Sequence, residues 1–352
     1  MPPRILHIDS GQEWRGGQRQ VLLLARSLRQ RGYEPLVVAA PGSHLVQRLR
    51  RAGVATSAVA MRGPWDLVAA RRIRALVRTW NAQIVHAHDP RAHALALVAL
   101  LDRPRVPLIV TRRTTHPPRG IRRRYGSRVA RFIAPSRAVA ESLSSAGIER
   151  RRLAVVAPGV PTPSVTVPRD WRAECRWPAN SVLCAVLGAG TDDGGHLEEV
   201  AQQLRPTARR RGRLLLLGGA SSGGCTIGGI DAFRAGVVDE IHPAIAGADL
   251  LLHLVTGDTL GTALIDAMAL GVPPVAFEAP GVAELVEHER TGLLVAAGDV
   301  PAFARAVSQM IADDRTRRAL GKRGPARAAR FGVDAMTEGV EEIYRDVLAQ
   351  LD

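Results

Sequence analysis

The strongest chemical signal in this 352-residue chain is a pair of aspartates, Asp258 and Asp266, eight residues apart. The pattern predicts a strand, a loop that contains Asp258, and a helix that begins at Thr262. A carboxylate in such a loop can accept hydrogen bonds from sugar hydroxyls, and one inside the helix can accept them from a vicinal diol such as ribose. Backbone N–H groups at the helix start can bind a diphosphate. These groups belong to Leu260, Gly261 and Thr262. The alternative is that Asp258 is a helix cap and Asp266 a solvated residue.

A second polar group follows a buried apolar run in the segment IVHAHDPRAH. His86, His88 and Asp89 stand at the carboxyl end of this predicted strand, the edge at which parallel sheets bind ligands. His88 beside Asp89 can orient a sugar hydroxyl or exchange a proton. Alternation along the strand places His86 and His88 on one face, so one of them can instead be a hydrogen-bonded core residue.

A glycine pair, Gly16 and Gly17, lies between the first predicted strand and a helix predicted over 18–31. Such glycines let backbone N–H groups approach an anion, and the helix N-terminus adds a partial positive charge. The alternative is a tight turn in which glycine supplies a positive φ. The spacing does not complete a GxGxxG motif.

Charge is distributed unevenly along the chain. Residues 1–160 carry 29 Arg against 8 acidic residues, whereas residues 161–352 carry 19 Lys and Arg against 25 acidic residues. The basic first part favours anionic partners, and the segment RGIRRRYGSRVAR (119–131) suits either a membrane surface or a solvated charge run. Aromatic residues make up only 4% of the chain and no nucleic-acid-binding motif is present, so nucleic acid is not an expected partner.

Three cysteines, at 175, 184 and 225, have neither CxxC spacing nor a nearby histidine partner, so we expect no disulfide framework and no metal site. The apolar runs at 5–8 and 94–101 are shorter than the roughly 18 residues of a membrane span, and no signal peptide is recognisable. We therefore expect a cytoplasmic protein, peripheral to the inner face of the membrane.

Apolar runs alternate with amphipathic helical stretches, which is typical of βαβ units. The strands are predicted at 4–8, 35–39, 84–87, 108–111, 131–134, 153–156, 182–187, 213–217, 250–254, 274–277 and 292–295. Further helices are predicted at 44–52, 195–204, 262–270, 300–313 and 335–351. Four prolines within 158–168 exclude a helix or a central strand and mark a linker. The fold class is therefore α/β, with two doubly wound, Rossmann-like domains at 1–162 and 163–334.

The ordered motifs resemble those of family-4 retaining glycosyltransferases over nearly the whole chain. The matching segments are the GG turn, IVHAH, FIAPSRAVAESL, VVAPGV, GADLLLH, DTLGTALIDAMALGVPPVA and ERTGLLVAAGD. The resemblance implies a GT-B fold, in which two domains face each other across a cleft. It also implies a nucleotide-diphosphate-sugar donor held mainly by the C-terminal domain, an acceptor on the N-terminal domain, and no cofactor or obligatory metal. The last helix, within 335–352, would cross back to the first domain.

The resemblance further implies roles for single residues. His88 and Asp258 would contact the transferred sugar, and Asp266 would bind the ribose. The remaining donor-binding positions are Gly16, Gly17, Leu260, Gly261 and Thr262 at the diphosphate, and Val237 at the base. No dedicated nucleophile is visible, so catalysis would depend on positioning and on stabilising the charge of the departing diphosphate.

Several positions depart from the family pattern. Both signature carboxylates are Asp where the family has Glu, which withdraws each by one methylene, roughly 1.5 Å. Ala189 and Gly194 replace the Arg and Lys that clamp the donor diphosphate. We expect Arg112 and Arg113, at the carboxyl end of a predicted strand, to face the cleft and supply positive charge instead. The glycine-rich segment 218–225 is either a backbone anion nest or a mobile loop.

The predicted function is retaining transfer of a sugar to a glycan, lipid-linked or other acceptor in cell-envelope or polysaccharide synthesis. Two alternatives stay open. One is a catalytically silent relative that serves as a scaffold for a sugar nucleotide or a glycan, which the residues Ala189 and Gly194 favour. The other is a GT-B sugar-nucleotide epimerase, which would need acid and base groups around a single sugar.

Overall fold

A computed structural model describes residues 2–103, 105–114, 128–163, 166–187, 195–236, 238, 240–257 and 261–350. It divides the chain into two compact units, Met1–Val160 with Gly332–Asp352, and Pro161–Phe331. The division falls inside the proline-rich stretch in which the sequence placed a linker. Among the described residues, no helix is long and apolar enough to cross a membrane.

The first unit is built on a parallel sheet of seven strands in the order β3-β2-β1-β4-β5-β6-β7. The strands are β1 (Arg4–Asp9), β2 (Glu34–Ala39), β3 (Ala55–Ala58), β4 (Ile84–Ala87), β5 (Leu108–Thr111), β6 (Val129–Ala134) and β7 (Leu153–Val155). The helices between them are α1 (Gly16–Gln30), α2 (His44–Arg51), α3 (Leu67–Thr79), α4 (Pro90–Ala99) and α5 (Arg137–Ser145). The chain leaves β1 toward β2 and later returns to the other side of β1 as β4. The strand order therefore reverses between β1 and β4, where open α/β sheets bind ligands.

The second unit contains a sheet of six strands in the order β10-β9-β8-β11-β12-β13. The strands are β8 (Val182–Leu187), β9 (Gly212–Ile227), β10 (Ile230–Gly236), β11 (Leu250–His253), β12 (Pro274–Glu278) and β13 (Leu293–Ala296). The helices are α6 (Trp171–Glu174), α7 (His196–Gln203), α8 (Pro206–Arg211), α9 (Ile241–Ala246), α10 (Thr262–Ala269), α11 (Val282–Leu285), α12 (Val300–Ala312) and α13 (Asp314–Ala328). Only β10 runs antiparallel to its neighbour among these strands. The order reverses between β8 and β11, which gives this unit its own switch point.

The glycine-rich segment 218–225 was predicted to be an anion nest or a mobile loop, and both predictions are wrong. It lies within β9, which pairs with β10 in a long hairpin that turns at Gly228 and Gly229. The start of β9 was predicted as a strand at 213–217, but its continuation was not, because glycines and serines interrupt the apolar pattern that predicts a strand. Gly218, Gly219 and Gly223 keep a positive φ inside the hairpin, a conformation that glycine adopts without strain.

The last helix of the chain, α14 (Val333–Ala349), belongs to the first unit. Its buried face packs against residues of β1 and α1 and contributes Tyr344, one of the largest fully buried side chains. On its outer side, Arg31 at the end of α1 forms ion pairs with Glu341, at 2.8 Å, and with Asp334. This docking brings Tyr344 beneath the strand that carries the candidate histidines.

Candidate functional site

At the switch point of the first unit, three buried histidines come together from β1 and from the end of β4. His7 Nδ1 lies 2.9 Å from His88 Nε2. His86 bonds at both ring nitrogens, with Nδ1 2.6 Å from the Tyr344 hydroxyl and Nε2 2.7 Å from the Thr111 hydroxyl. His86 is thus a hydrogen-bonded core residue, whereas His88 continues beyond the strand and stays a site candidate.

The three histidines are close enough to consider a metal ion, since their ligand atoms lie within 4.8 Å of one another. Both nitrogens of His86 already have partners, however, and His7 and His88 bond each other. A cation bound by all three rings would have to break bonds of His86 and His88, although His7 Nε2 has no hydrogen-bond partner in the described part of the chain. Burial lowers the pKa of His7 to about 3, so its ring is neutral. Burial, reinforced by the neighbouring histidines, also holds the pKa of His88 well below its ordinary value. The cluster is best described as a neutral hydrogen-bonded group.

Two carboxylates flank the histidines. Asp89 caps α4 by accepting hydrogen bonds from the backbone N–H groups of its first turn, and it also accepts from the Ser10 amide and hydroxyl, each at 2.7 Å. Asp9, at the end of β1, is fully buried and accepts a hydrogen bond from Gln18 at 2.9 Å. Burial and the negative charge of Asp89 raise the pKa of Asp9. These contacts fix β1, α1 and α4 relative to one another at the carboxyl edge of the sheet.

The arginines predicted to replace the diphosphate clamp both lie at this edge, directly after β5. Arg113 donates through Nη1 to the backbone oxygen of His88 at 2.7 Å. Burial lowers the pKa of Arg113, and the negative charges of Asp9 and Asp89 offset part of this effect. Arg112 is only 3% exposed, and its Nε has no hydrogen-bond partner. Burial is the main influence on Arg112 and lowers its pKa.

The glycine pair forms the start of α1 rather than a turn with positive φ. Neither Gly16 nor Gly17 is among the positive-φ glycines, so the turn alternative is wrong. The requirement at position 17 is space, because a Cβ there would stand 3.0 Å from Arg113 Nη1. Gly17 therefore allows the guanidinium of Arg113 to lie directly against the first turn of the helix.

In the second unit, α10 begins after Gly261, whose φ of 61° is the left-handed conformation. A Cβ on Gly261 would stand 2.5 Å from Leu285 Cδ1, so the position requires glycine for both backbone and space. Thr262 is the first residue of the helix and is partly exposed. Asp258 and Leu260, together with Val237, Ala189 and Gly194, lie outside the described residues, and so does the basic segment up to residue 127.

Asp266 is not a solvated residue, and that alternative is wrong. It lies in the second turn of α10, is 1% exposed, and its Oδ1 is 2.9 Å from Nε2 of His242 on α9. The His242 side chain itself is 19% exposed. The aspartate and the imidazole therefore form one pair, in which the histidine is the outer member.

Four polar residues of these sites were not singled out from the sequence. His7 and Asp9 interrupt the apolar run of β1, which is a signal that could have been used. His253, at the carboxyl end of β11, is 9% exposed, its Nε2 has no partner, and burial lowers its pKa to about 4. His242 carried no signal, because its contact with Asp266 spans 24 positions and depends on the packing of α9 against α10.

Comparison with known families gives two consecutive matches. Residues 14–163 match the model of Glycosyltransferase Family 4, and residues 195–313 match that of the group 1 glycosyl transferases. The N-acetyl-alpha-D-glucosaminyl L-malate synthase of Bacillus anthracis is 32% identical over 114 residues, 32% of this chain and 30% of that protein. A D-inositol 3-phosphate glycosyltransferase of Xylanimonas cellulosilytica is 28% identical over 235 residues, 60% of this chain and 56% of that protein. The chain spans only 10% to 31% of the length of three curated relatives that match at 30% to 32% identity.

Solved structures match over almost the entire chain. Anabaena Alr3699/HepE, crystallised in complex with UDP-glucose, superimposes with a TM-score of 0.83 at 19% identity, covering 97% of this chain and 99% of that one. The sucrose-phosphate synthase of Thermosynechococcus elongatus superimposes with a TM-score of 0.80 at 18% identity, covering 99% of this chain and all of that one. At such identities the likeness establishes the fold, which is GT-B. With two family models matched in series on two Rossmann-like sheets, this chain belongs to the family-4 glycosyltransferases.

Proposed function

We propose that the chain is a retaining glycosyltransferase that moves a sugar from a nucleoside-diphosphate donor to a glycan, lipid-linked or other acceptor. The observation that carries this proposal is the beginning of α10. There a left-handed glycine opens the helix and a buried Asp266 stands in its second turn, at the spacing of the family signature. The family membership supports sugar transfer, and the crystallisation of Alr3699/HepE with UDP-glucose supports a nucleotide-sugar donor.

In this proposal the second unit binds the donor. Backbone N–H groups at the start of a helix carry its partial positive charge, so we propose that those of Gly261 and Thr262, with Leu260 before them in the sequence, bind the diphosphate. Asp258 would accept hydrogen bonds from hydroxyls of the transferred sugar. Val237 would pack against the base.

The first unit contributes His88 as a contact to the transferred sugar. Its imidazole is neutral at physiological pH because burial lowers its pKa, so it can exchange hydrogen bonds with a hydroxyl without adding charge. Arg112 and Arg113 are the proposed source of positive charge, and no metal or other cofactor is required. Because the carboxylates of Asp9 and Asp89 already balance Arg113, we expect Arg112 to contribute more to anion binding.

Calorimetry with UDP-, GDP- and ADP-sugars tests donor binding, and donor hydrolysis without acceptor tests activation of the glycosidic bond. We expect micromolar to millimolar binding of one donor, hydrolysis that persists in EDTA, and retained anomeric configuration in the product by NMR. Absence of binding at millimolar donor would overturn the proposal. Tight binding without any turnover would instead favour the scaffold alternative, and a product epimerised within the donor would favour the epimerase alternative.

We further propose that the first unit contacts an anionic membrane surface, where a lipid-linked acceptor would lie. Residues 128–131 of the basic segment do not form an amphipathic helix, since Val129 to Arg131 belong to β6. The support comes instead from an exposed area at the start of α3, the α3 surface. It consists of Trp65, Leu67, Val68, Arg71 and Arg72.

The α3 surface combines apolar and cationic side chains on one side of a helix. Trp65, Leu67 and Val68 are 63%, 57% and 59% exposed, and Arg71 and Arg72 are exposed one turn further on. The opposite side of α3 is buried in the core. Tryptophan and leucine beside arginines suit the headgroup boundary of an anionic bilayer.

Co-sedimentation with phosphatidylcholine vesicles, with and without phosphatidylglycerol, tests this contact. We expect binding only to the anionic vesicles, and loss of binding at high salt. Replacing Arg71 and Arg72 by Gln should weaken it about thirtyfold, at about 1 kcal/mol per arginine. Serine at 65, 67 and 68 should abolish it, whereas serine at Leu101, which is 74% exposed elsewhere on the unit, should not. Equal binding of all variants would refute the assignment.

A further inference from the structure

The bond between His7 and His88 determines how His88 can meet a ligand. His88 follows β4 at the switch point of the first sheet, where its backbone is fixed on both sides. Its N–H donates to the backbone oxygen of Ile8 at 2.9 Å, and its own oxygen accepts from Arg113 at 2.7 Å. The ring is held by His7, whose Nδ1 lies 2.9 Å from His88 Nε2, with the two ring planes 19° apart. A ligand therefore meets a side chain whose position is already fixed.

Only two proton arrangements are compatible with this bond. Both rings are neutral, since burial lowers the pKa of His7 to about 3 and holds that of His88 well below its ordinary value. A neutral imidazole carries one N–H, and its other ring nitrogen accepts. If His7 donates from Nδ1, its Nε2 is a bare acceptor and the proton of His88 is on Nδ1. If His88 donates from Nε2, its own Nδ1 is bare and the proton of His7 is on Nε2.

The surroundings of His7 Nε2 favour the first arrangement. That nitrogen is buried, and no described residue forms a hydrogen bond with it. In the second arrangement it would be a buried N–H without an acceptor, a group that folded proteins rarely contain. Acceptors with an unfilled lone pair, such as carbonyl oxygens, are less rare. The first arrangement places the proton of His88 on Nδ1, the ring nitrogen that does not face His7.

We propose that His7 is a positioning residue that holds His88 in its Nδ1–H tautomer, so that His88 donates a hydrogen bond to an oxygen of the transferred sugar. The inference rests on the proposed function, from which it takes the contact between His88 and the sugar. It adds the direction of that hydrogen bond and the residue that sets it. His86 does not take this role, because both of its ring nitrogens are bonded to hydroxyl groups.

The tautomer is measured by two-bond ¹H–¹⁵N NMR on the whole chain, labelled with ¹⁵N in its histidine rings and free of ligand. The signals of His7 and His88 are assigned by their loss in His7→Asn and His88→Asn. We expect both rings to carry their proton on Nδ1. In His7→Asn the amide N–H stands near the position of the lost Nδ1–H, so His88 should keep its tautomer. In His7→Leu this donor is gone, and His88 should populate both tautomers. A proton on Nε2 of His88 in the wild-type chain would overturn the inference.

The direction of the bond is tested by calorimetry with analogues of the donor that binds in the UDP-, GDP- and ADP-sugar screen. In these analogues one sugar hydroxyl at a time is replaced by hydrogen or by fluorine, which can accept a weak hydrogen bond but cannot donate one. At the hydroxyl that His88 contacts, hydrogen should weaken binding about twofold to tenfold, the value of one hydrogen bond, and fluorine should weaken it less. Equal losses with hydrogen and fluorine at every position would overturn donation by His88.

Variants separate positioning from folding. The difference between the hydrogen and fluorine analogues should disappear in His88→Ala, shrink in His7→Leu and persist in His7→Asn. His44→Asn changes an exposed histidine of the first unit and should alter neither the His88 signals nor donor binding. An undiminished difference in His7→Leu would overturn positioning by His7. If His7→Leu does not fold, the spectra of the wild-type chain and of His7→Asn decide the tautomer.

The two experiments also distinguish this inference from the proposed function. A chain that binds none of the donors would overturn the proposed function, while the NMR spectrum would still decide the tautomer of His88. A chain that binds a donor but carries the His88 proton on Nε2 would overturn the inference and leave the proposed function standing.

Discussion

The first unit should lose stability on mild acidification because four of its histidines, His7, His86, His88 and His93, are buried in the neutral form. Burial lowers the pKa of His7 and of His93 to about 3, and it lowers those of His86 and His88 in the same direction. In the unfolded chain a histidine titrates near 6.5. The stability from keeping these groups neutral is therefore present above pH 6.5, and it falls as the pH drops from 6.5 toward 3.

The size of the effect follows from the two pKa values. At pH 5 the unfolded chain gains about 2 kcal/mol from protonating each such histidine, and the loss continues at about 1.4 kcal/mol per pH unit. His7 and His93 alone then account for about 4 kcal/mol, against the 5–15 kcal/mol by which domains are usually stable. In the second unit His253, with a pKa of about 4, contributes a single loss of about 2 kcal/mol.

Peptide-resolved hydrogen exchange at pH 7.5 and pH 5.0 measures the opening free energy of each unit within the intact chain, after correction for the intrinsic exchange rates. On going from pH 7.5 to pH 5.0, we expect the opening free energy of β4 and α4 peptides to fall by at least 2 kcal/mol more than that of α12 peptides. In the His93→Leu variant, the fall in the first unit should be about 2 kcal/mol smaller, and the fall in the second unit should not change. Equal losses in both units would refute the assignment of buried neutral histidines.

Three further predictions concern single contacts. Gly261→Ala should destabilise the second unit by about 1–3 kcal/mol in urea titrations, because of the left-handed φ and the 2.5 Å approach to Leu285. Tyr344→Phe should lower the free energy of unfolding of the first unit by about 1–3 kcal/mol, because His86 Nδ1 loses its hydrogen-bond partner. The matched substitution Tyr33→Phe, at a partly exposed tyrosine, should lower it by less. Arg113→Ala should affect stability more than donor affinity, because Asp9 and Asp89 lose the positive charge that balances them. Arg112→Ala should affect donor affinity more than stability. Unchanged donor affinity in both arginine variants would remove them as the source of the missing diphosphate charge.

Strands buried on both faces were the most predictable part of the fold. The predicted strands at 84–87, 108–111 and 182–187 agree with β4, β5 and β8 to the residue. Each is a short, mostly apolar run of four to six residues, so local composition determines it. The first part of β9 agrees with the strand predicted at 213–217, but the continuation of β9 to Ile227 and the strand β10 were missed. These parts are held by pairing between two segments, one of them rich in glycine, rather than by a local apolar pattern.

The positions of candidate residues in the fold were predictable where a motif marks the end of a strand or the start of a helix. His88 follows β4, Gly17 lies in the first turn of α1 and Asp266 lies in α10, as predicted, and their proposed roles stay predictions. The partners of the histidines were not predictable, because His7 contacts His88 across 81 positions and Tyr344 contacts His86 across 258. Such contacts depend on strand order and helix docking, which a single sequence does not specify.

In the proposed donor site, the departures from the family pattern would act together on the local charge. If Ala189 and Gly194 stand in place of two cations at the diphosphate, any nearby carboxylate would repel the donor more strongly. A shorter Asp266, buried behind His242, reduces that repulsion because its charge is withdrawn and hydrogen-bonded. Restoring Glu at 266 alone should therefore weaken donor binding, whereas restoring it together with Arg at 189 and Lys at 194 should strengthen binding. Calorimetry on the single, double and triple variants distinguishes this coupling from three independent changes.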